Sequence, residues 1–140
     1  MKILLPVDGS DYTRRMLTYI ADHDELLGPG HDYIAFTAVP PIPPNAARHV
    51  DRGTVDDYYR DQAEEVLAPV RAVGEKHGWK MRTAYAPGHA ADAIAAFAKT
   101  EQPSLIVMGS HGHSSLRGML LGSVASGVLA RCQAPVLLIR

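Results

Sequence analysis

A loop rich in glycine and serine at residues 109–123 holds the residues of this chain that are best suited to chemistry. Its sequence is GSHGHSSLRGMLLGS, and it follows the apolar run SLIVM at residues 104–108. Glycines let backbone N–H groups approach a bulky anion, because no Cβ stands in the way. Ser123 is predicted to begin a helix, whose unpaired amides and positive dipole end favour an anion. The loop therefore predicts either a phosphate site or a flexible turn in which Ser123 only caps the helix.

The spacing of the glycines in this loop differs from two common phosphate-binding motifs. A Walker loop needs Gly-Lys-Ser/Thr after four spacer residues, and a dinucleotide-binding loop reads GxGxxG. Here two residues separate Gly109 from Gly112, nine separate Gly112 from Gly122, and Ser123 follows at once. The pattern thus matches neither motif, and on the loop alone an anion site of another type and a flexible turn stay equally open.

Two histidines at alternate positions of the loop, His111 and His113, could both reach one metal ion. A metal usually takes three or four protein ligands, and only His89, from a different loop, is a candidate third. We therefore interpret these histidines and Arg117 as donors beside a phosphate, and we predict no metal ligands in the protein.

Glycine and proline divide the chain into alternating strand-like and helix-like segments. The predicted strands are residues 2–7, 32–39, 79–86, 104–108 and 135–139. The predicted helices are residues 11–27, 54–78 (kinked at Pro69), 89–100 and a last one from 123, while the Pro-rich residues 40–53 are predicted to be irregular. Strict alternation with apolar strands predicts an α/β fold in which helices cover both faces of a parallel sheet, as one domain over residues 1–140.

Three segments should meet where ligands bind in such sheets, beyond the carboxyl ends of the strands. Asp8 follows the first strand, Val39 and Pro40 end the second, and Met108 with Gly109 ends the fourth. The sequence therefore predicts one site built from these segments and the glycine loop. Read structurally, Asp8 could simply bond the amides of its own turn, and Val39 could be core.

The glycine spacing before a helix and PVLLIR, with the opening KILLPVDGSDYT, resembles the ATP-binding subset of the universal stress protein family. The resemblance spans nearly the whole chain and implies a Rossmann-like, flavodoxin-like three-layer sandwich with a five-stranded sheet in the order 3-2-1-4-5. It implies a nucleotide site formed by Pro6, Val7, Asp8, Val39, Met108, Gly109, His111, Gly112, His113, Gly122, Ser123, Val124 and Ala125.

The resemblance also implies a role for each part of that site. Asp8 would meet the adenine and the Val39 backbone would read its edge, while Met108 and Gly109 would lie at the ribose. The phosphates, with Mg²⁺, would be held at Gly112, Gly122, Ser123 and Val124. Family members that bind ATP often carry a hydroxyl residue where this chain has Ala125. The preference among ATP, ADP and AMP therefore stays open.

Two functions fit this site. A signalling module would bind ATP to change a surface that faces an unidentified protein partner, whereas a slow Mg²⁺-dependent ATPase or phosphotransfer enzyme would need a base beside the γ-phosphate. The sequence offers no committed base, so the binding module is favoured. A nucleotide-free interaction domain is disfavoured by the complete glycine pattern.

The bulk composition sets further expectations. The chain has 140 residues and a formal net charge of −1, which gives no general attraction to nucleic acid or to an acidic membrane. A single cysteine, Cys132, and an N-terminus without a signal-peptide core favour a cytoplasmic location. The apolar last strand, residues 135–139, has no charge before Arg140, which predicts a homodimer formed through this strand.

Overall fold

The computed structural model describes residues 1–113 and 118–140, and these form a parallel five-stranded sheet. Its strands are β1 Lys2–Pro6, β2 Asp32–Val39, β3 Lys80–Pro87, β4 Leu105–Gly109 and β5 Val136–Ile139. Their spatial order, β3-β2-β1-β4-β5, confirms the predicted order. The chain winds outward from β1 to β3 and then crosses back to β4, so the winding direction reverses between β1 and β4. Ligands of open α/β sheets bind at such a reversal.

Helices cover both faces of this sheet. They are α1 Asp11–Asp22, α2 Asp24–Leu27, α3 Pro44–Ala47, α4 Arg52–Lys76, α5 Ala90–Glu101 and α6 Ser123–Arg131. Ile3 and Leu5 of β1 pack in a core with α1 and α4, while Leu4 packs in a second core with α5 and α6. Successive strand residues point to opposite faces, so β1 anchors both layers. Over residues 1–113 and 118–140, no helix has the length and apolar character needed to cross a membrane.

The first predicted helix is interrupted at His23, which the apolar spacing did not show. The backbone N–H of His23 donates to the carbonyl oxygen of Ile20, and the imidazole Nδ1 lies 2.7 Å from the Tyr19 carbonyl oxygen. The imidazole thus bonds the Tyr19 carbonyl oxygen, which the backbone N–H of His23 would bond if the helix continued. The helix therefore ends, and one further turn, α2, follows.

The Pro-rich segment contains a short helix, and α4 begins earlier than predicted, at Arg52 instead of Thr54. Pro44 is the first residue of α3, where the missing N–H has no intrahelical partner to lose. The long helix α4 continues through Pro69. Pro69 is exposed, so water can reach the carbonyl oxygen of Glu65 that proline leaves without its helical donor.

The two edges of the sheet differ in how they are protected. On β3, exposed Lys80 and Arg82 alternate with half-buried residues, as the half-polar pattern predicted for an edge. On β5, residues 136–138 are half-buried and apolar, and the next charge is Arg140. Charged side chains oppose further pairing at an edge, so β5 is the less protected of the two.

Candidate functional site

A cavity of about 320 Å³ lies beyond the carboxyl ends of β1, β2 and β4. The predicted site residues that line it are Pro6, Val7, Asp8, Met108, Gly109, His111, Gly112, His113, Gly122, Ser123, Val124 and Ala125. Pro40, from the segment expected after the second strand, lines it as well, together with four residues that sequence reasoning had not assigned to the site, namely Thr13, Ala38, Ala90 and Ile94. Val39 does not line the cavity, and Arg117 lies outside the described residues. The fold thus brings the glycine loop and the Asp8 turn together.

A larger groove of about 740 Å³ lies between α5 and α6, toward their carboxyl ends. Its walls carry several alanines, the exposed Arg131–Asp92 ion pair and Cys132. Burial raises the pKa of the Cys132 thiol, although Arg131 acts in the opposite direction. A thiol with a raised pKa is a poor nucleophile. Because no residue of the glycine loop lines this groove, the smaller cavity is the candidate site.

The turn after β1 holds the carboxylate of Asp8 in one orientation. Its Oδ1 accepts a hydrogen bond from the Ser10 backbone N–H at 2.9 Å and one from the Thr13 hydroxyl at 3.0 Å. The Thr13 oxygen in turn accepts from the Asp8 N–H at 3.1 Å. Gly9 allows this tight turn with φ of +76°, a conformation that side chains disfavour. Sequence reasoning missed Thr13, and the pattern Asp-Gly-Ser-x-x-Thr was the available signal.

The second carboxylate oxygen of Asp8, Oδ2, faces the glycine loop. A Cβ added at Gly112 would lie 2.5 Å from it, so any other residue there would displace this oxygen. Burial raises the pKa of the Asp8 carboxyl, but hydrogen bonds from Ser10 and Thr13 and the nearby His113 outweigh it, and the net pKa is below the usual value. The group is therefore an anion at neutral pH. Among the described residues Oδ2 has no hydrogen-bond donor, so it can accept one from a ligand.

The other two glycines of the pattern also make close contacts within the chain. A Cβ at Gly109 would lie 2.6 Å from Cβ of Tyr12, and one at Gly122 would lie 3.0 Å from Cα of His111. The Gly122 N–H donates to the Ser110 carbonyl oxygen at 2.7 Å, so this amide is not free for a ligand. These glycines are therefore explained by how the loop packs against α1 and closes on itself.

The two loop histidines bind main-chain oxygens. His111 Nε2–H donates to the Met119 carbonyl oxygen at 2.8 Å, which leaves Nδ1 to accept from the Ser110 hydroxyl at 2.9 Å. His113 Nε2–H donates to the Asp8 carbonyl oxygen at 2.7 Å. His111 thus ties two parts of the loop together, and His113 ties the loop to the Asp8 turn. The described residues contain no group of three or more His, Cys, Asp or Glu placed to hold a metal ion.

The amino end of α6 faces the cavity. Gly122 is the N-cap, so this helix end has no side-chain cap. Ser123 is the first helical residue and is exposed. The first hydrogen bond at this helix end runs from the Ser126 N–H to the Gly122 carbonyl oxygen. The amides of residues 123–125 therefore have no intrahelical acceptor and, with the helix dipole, favour an anion.

The opposite end of the cavity is apolar and is bordered by the end of β2. The Val39 carbonyl oxygen accepts the Gly88 N–H at 2.9 Å, on the β3 side of the strand. The Phe36 carbonyl oxygen accepts the Val7 N–H at 2.9 Å, on the β1 side. Backbone groups two residues apart point the same way, so the Ala38 carbonyl also points to the β1 side, beyond the end of β1. Ala38, not Val39, therefore presents a backbone acceptor to the cavity.

Comparison with known sequences points to one family. The model of the universal stress protein family matches residues 1–140. Universal stress protein MJ0531 of Methanocaldococcus jannaschii is 28% identical over 99% of this chain and 81% of its own length. Universal stress protein YxiE of Bacillus subtilis is 30% identical over 99% of this chain and 98% of its own length.

Solved structures with the same fold include UspA from Lactobacillus plantarum, with a TM-score of 0.80 and 21% identity over 100% of this chain and 97% of that one. The universal stress protein of Archaeoglobus fulgidus in complex with dAMP has a TM-score of 0.69 and 23% identity, covering 100% and 98%. A family protein from Arabidopsis thaliana with AMP bound has a TM-score of 0.71 and 14% identity, covering 99% and 90%. From the match of the family model over residues 1–140 and the full-length relatives, we conclude that this chain belongs to the universal stress protein family.

Proposed function

We propose that this chain binds an adenine nucleotide, with Mg²⁺-ATP as the ligand, in the cavity beyond β1, β2 and β4. One observation carries the proposal: a single cavity joins an apolar end, a free carboxylate oxygen on Asp8 and the amino end of α6. The apolar end suits a base, the carboxylate oxygen suits a hydroxyl or amino donor, and the helix end suits a phosphate. The dAMP and AMP in two structures of the same fold support the choice of an adenine nucleotide.

The base would lie at the apolar end, between the end of β2 and the side chains of Met108 and Ile94. The Ala38 carbonyl oxygen is the backbone acceptor there, and the exocyclic amino group of adenine is a donor. A guanine base would present a carbonyl oxygen at the corresponding position, and two acceptors repel. We therefore assign the base-edge contact to Ala38 in place of Val39.

The phosphates would lie against the free amides of residues 123–125 and the Ser123 hydroxyl. Mg²⁺ is commonly held by one or two carboxylates together with phosphate oxygens. Asp8 Oδ1 is already committed to Ser10 and Thr13. The described residues offer no acidic cluster, so phosphate oxygens and water would be the principal magnesium ligands.

In this proposal, nucleotide binding serves signalling, because bound ATP changes a surface that a partner protein recognises during a stress response. Phosphoryl transfer needs a base or water-orienting group at the γ-phosphate. Asp8 is held by its own turn and would meet the nucleoside, and both loop histidines bind main-chain oxygens. The proposal includes a cytoplasmic location, since the one cysteine of the chain cannot form an intramolecular disulfide.

The test is to denature the purified protein, identify released nucleotide by chromatography, and titrate the emptied protein with ATP, ADP and AMP, with and without Mg²⁺. Ser123→Ala removes a hydroxyl at the cavity and should weaken ATP binding about tenfold, whereas AMP binding changes less. Ser126→Ala is the matched control, because Ser126 is also exposed on α6 but does not line the cavity.

Two results would contradict the proposal. Absence of ATP, ADP and AMP binding at millimolar concentration would remove the nucleotide function. Repeated turnover of ATP at several per second, abolished by Ser123→Ala, would replace the binding module with an enzyme.

We also propose that two copies pair through β5. The Pro135 carbonyl oxygen accepts from Ile106 of β4 and the Ile139 carbonyl oxygen from Ser110 just after β4, so the backbone groups of residues 136 and 138 point away from the sheet. A two-fold axis beside β5 would let these groups pair with their counterparts in a second copy. Val136→Pro removes one outward N–H and leaves the bonds to β4 in place.

Light scattering at micromolar concentration should give the mass of a dimer for the wild type and for Val136→Ala. It should give the mass of a monomer for Val136→Pro. A monomeric wild type would overturn the dimer proposal.

A further inference from the structure

The segment that leaves the cavity after β2 has little attachment to the rest of the fold. We call residues 40–50 the strap. Pro40 lines the cavity, and no residue of the strap is buried. Within the described ranges, the hydrogen bond that joins the strap to another part of the chain runs from the Ile42 N–H to the Tyr59 hydroxyl, at 2.9 Å. The other hydrogen bonds of the strap are local ones of α3 and its end.

Tyr59, the acceptor of this bond, is held in place by its packing. Its ring is half-buried and packs against the core shared by α1 and α4. It lies seven residues, or about two helical turns, before Val66 on the same face of α4. Val66 contacts the turn of Asp8, since its methyl lies 3.7 Å from the position of a Cβ at Gly9. Tyr59 therefore lies on the face of α4 that, about two turns further along, faces the turn of Asp8.

The strap is too stiff to absorb a displacement at Ile42. Pro40, Pro41, Pro43 and Pro44 each have φ fixed near −65° by their rings. A residue that precedes proline is restricted to extended conformations, which applies to Ile42 as well. Movement of Ile42 must therefore be passed on to Pro40, two residues away at the cavity wall.

We propose that Tyr59 is a positioning residue of the nucleotide site: its hydroxyl holds the strap against the cavity and so slows the release of bound nucleotide. This inference rests on the proposed nucleotide function and adds to it a control of the release step. Association is limited by diffusion and orientation, so the loss of such a contact acts mainly on dissociation.

The experiment measures dissociation of radiolabelled ATP and AMP from the full chain after a chase with excess unlabelled nucleotide. Tyr59→Phe keeps the ring and removes the acceptor. It should raise the dissociation rate about fivefold, equivalent to about 1 kcal/mol, and leave the association rate unchanged. Tyr58→Phe is the matched control, because Tyr58 is adjacent, 46% exposed and without a hydroxyl hydrogen bond among the described residues.

Ile42→Pro removes the donor of the same hydrogen bond and should raise the dissociation rate equally. The double variant with Tyr59→Phe should release nucleotide no faster than either single variant, since both lose one shared contact. The thermal midpoint of each ligand-free variant is measured alongside, because a general loss of stability would lower it and would also weaken association.

The outcomes separate the two proposals. If the wild type binds ATP and AMP but both variants release them at the wild-type rate or more slowly, the strap proposal is overturned and the nucleotide function stands. An equal acceleration by Tyr58→Phe would also overturn it. If the wild type binds neither nucleotide, both proposals fail.

Discussion

Replacing Asp8 with asparagine changes Oδ2, the oxygen that we assign to the ligand, and keeps Oδ1, the oxygen that holds the turn. In Asp8→Asn, Oδ1 can still accept from the Ser10 N–H and the Thr13 hydroxyl. An NH₂ group replaces Oδ2, so a ligand donor would meet another donor. Hydrogen bonds to charged groups contribute about 1.5–3 kcal/mol. The dissociation constant for ATP should therefore rise about 10- to 150-fold.

Calorimetric titration with ATP measures this loss, and urea denaturation measures stability in parallel. Thr13→Val is the comparison, because it removes a hydroxyl that holds Oδ1 and leaves Oδ2 charged. It should lower the free energy of unfolding by about 1–2 kcal/mol and affect affinity less than Asp8→Asn does. Wild-type affinity in a folded Asp8→Asn protein would refute the assignment of Oδ2 as the ligand acceptor.

Three further predictions concern stability. Gly112→Ala places a Cβ 2.5 Å from an anchored carboxylate oxygen and should cost about 1–3 kcal/mol by urea denaturation, whereas Gly30→Ala, with nothing within 4 Å, should be near neutral. Tyr33→Phe removes a buried hydroxyl that donates to the Gly28 carbonyl oxygen at 2.9 Å; the thermal midpoint should fall, with exposed Tyr85→Phe unchanged. The lowered pKa of Asp8 gives stability that is complete above the ordinary value of 3.8 and is lost as the pH falls through the folded-state pKa. Between pH 6 and pH 3, the midpoint of Asp8→Asn should therefore fall less than that of the wild type.

The sheet was predictable because strand signals in this chain are simple. The predicted second strand, residues 32–39, has the bounds of β2, and the half-polar third strand lies at an edge as expected. The helix ends were less predictable, since they depend on single hydrogen bonds. Only the fold shows that the His23 imidazole takes the Tyr19 carbonyl, and hydrophobic spacing carries no such information.

The site was predictable as a place but less so as a set of contacts. The strand order places the Asp8 turn and the glycine loop together at the carboxyl ends of β1 and β4, independently of their side chains. Which backbone carbonyl faces the cavity depends on strand register, and a one-residue difference reverses it. Val39 bonds the Gly88 N–H on the β3 side, so the acceptor at the cavity is Ala38.

The glycine pattern identifies the shape of a loop more directly than it identifies a ligand. Gly109 makes room for Tyr12, and Gly112 makes room for Asp8. The capacity to bind must then come from other groups at the cavity, among them Asp8 Oδ2, the Ala38 carbonyl oxygen and the amides at the start of α6. Under the proposed function, a chain with the same glycines but no carboxylate after its first strand would keep the loop and lose the contact that we assign to the nucleoside. The residue that we propose as the mark of a nucleotide site is therefore Asp8, more than one hundred residues from the glycine pattern in the sequence.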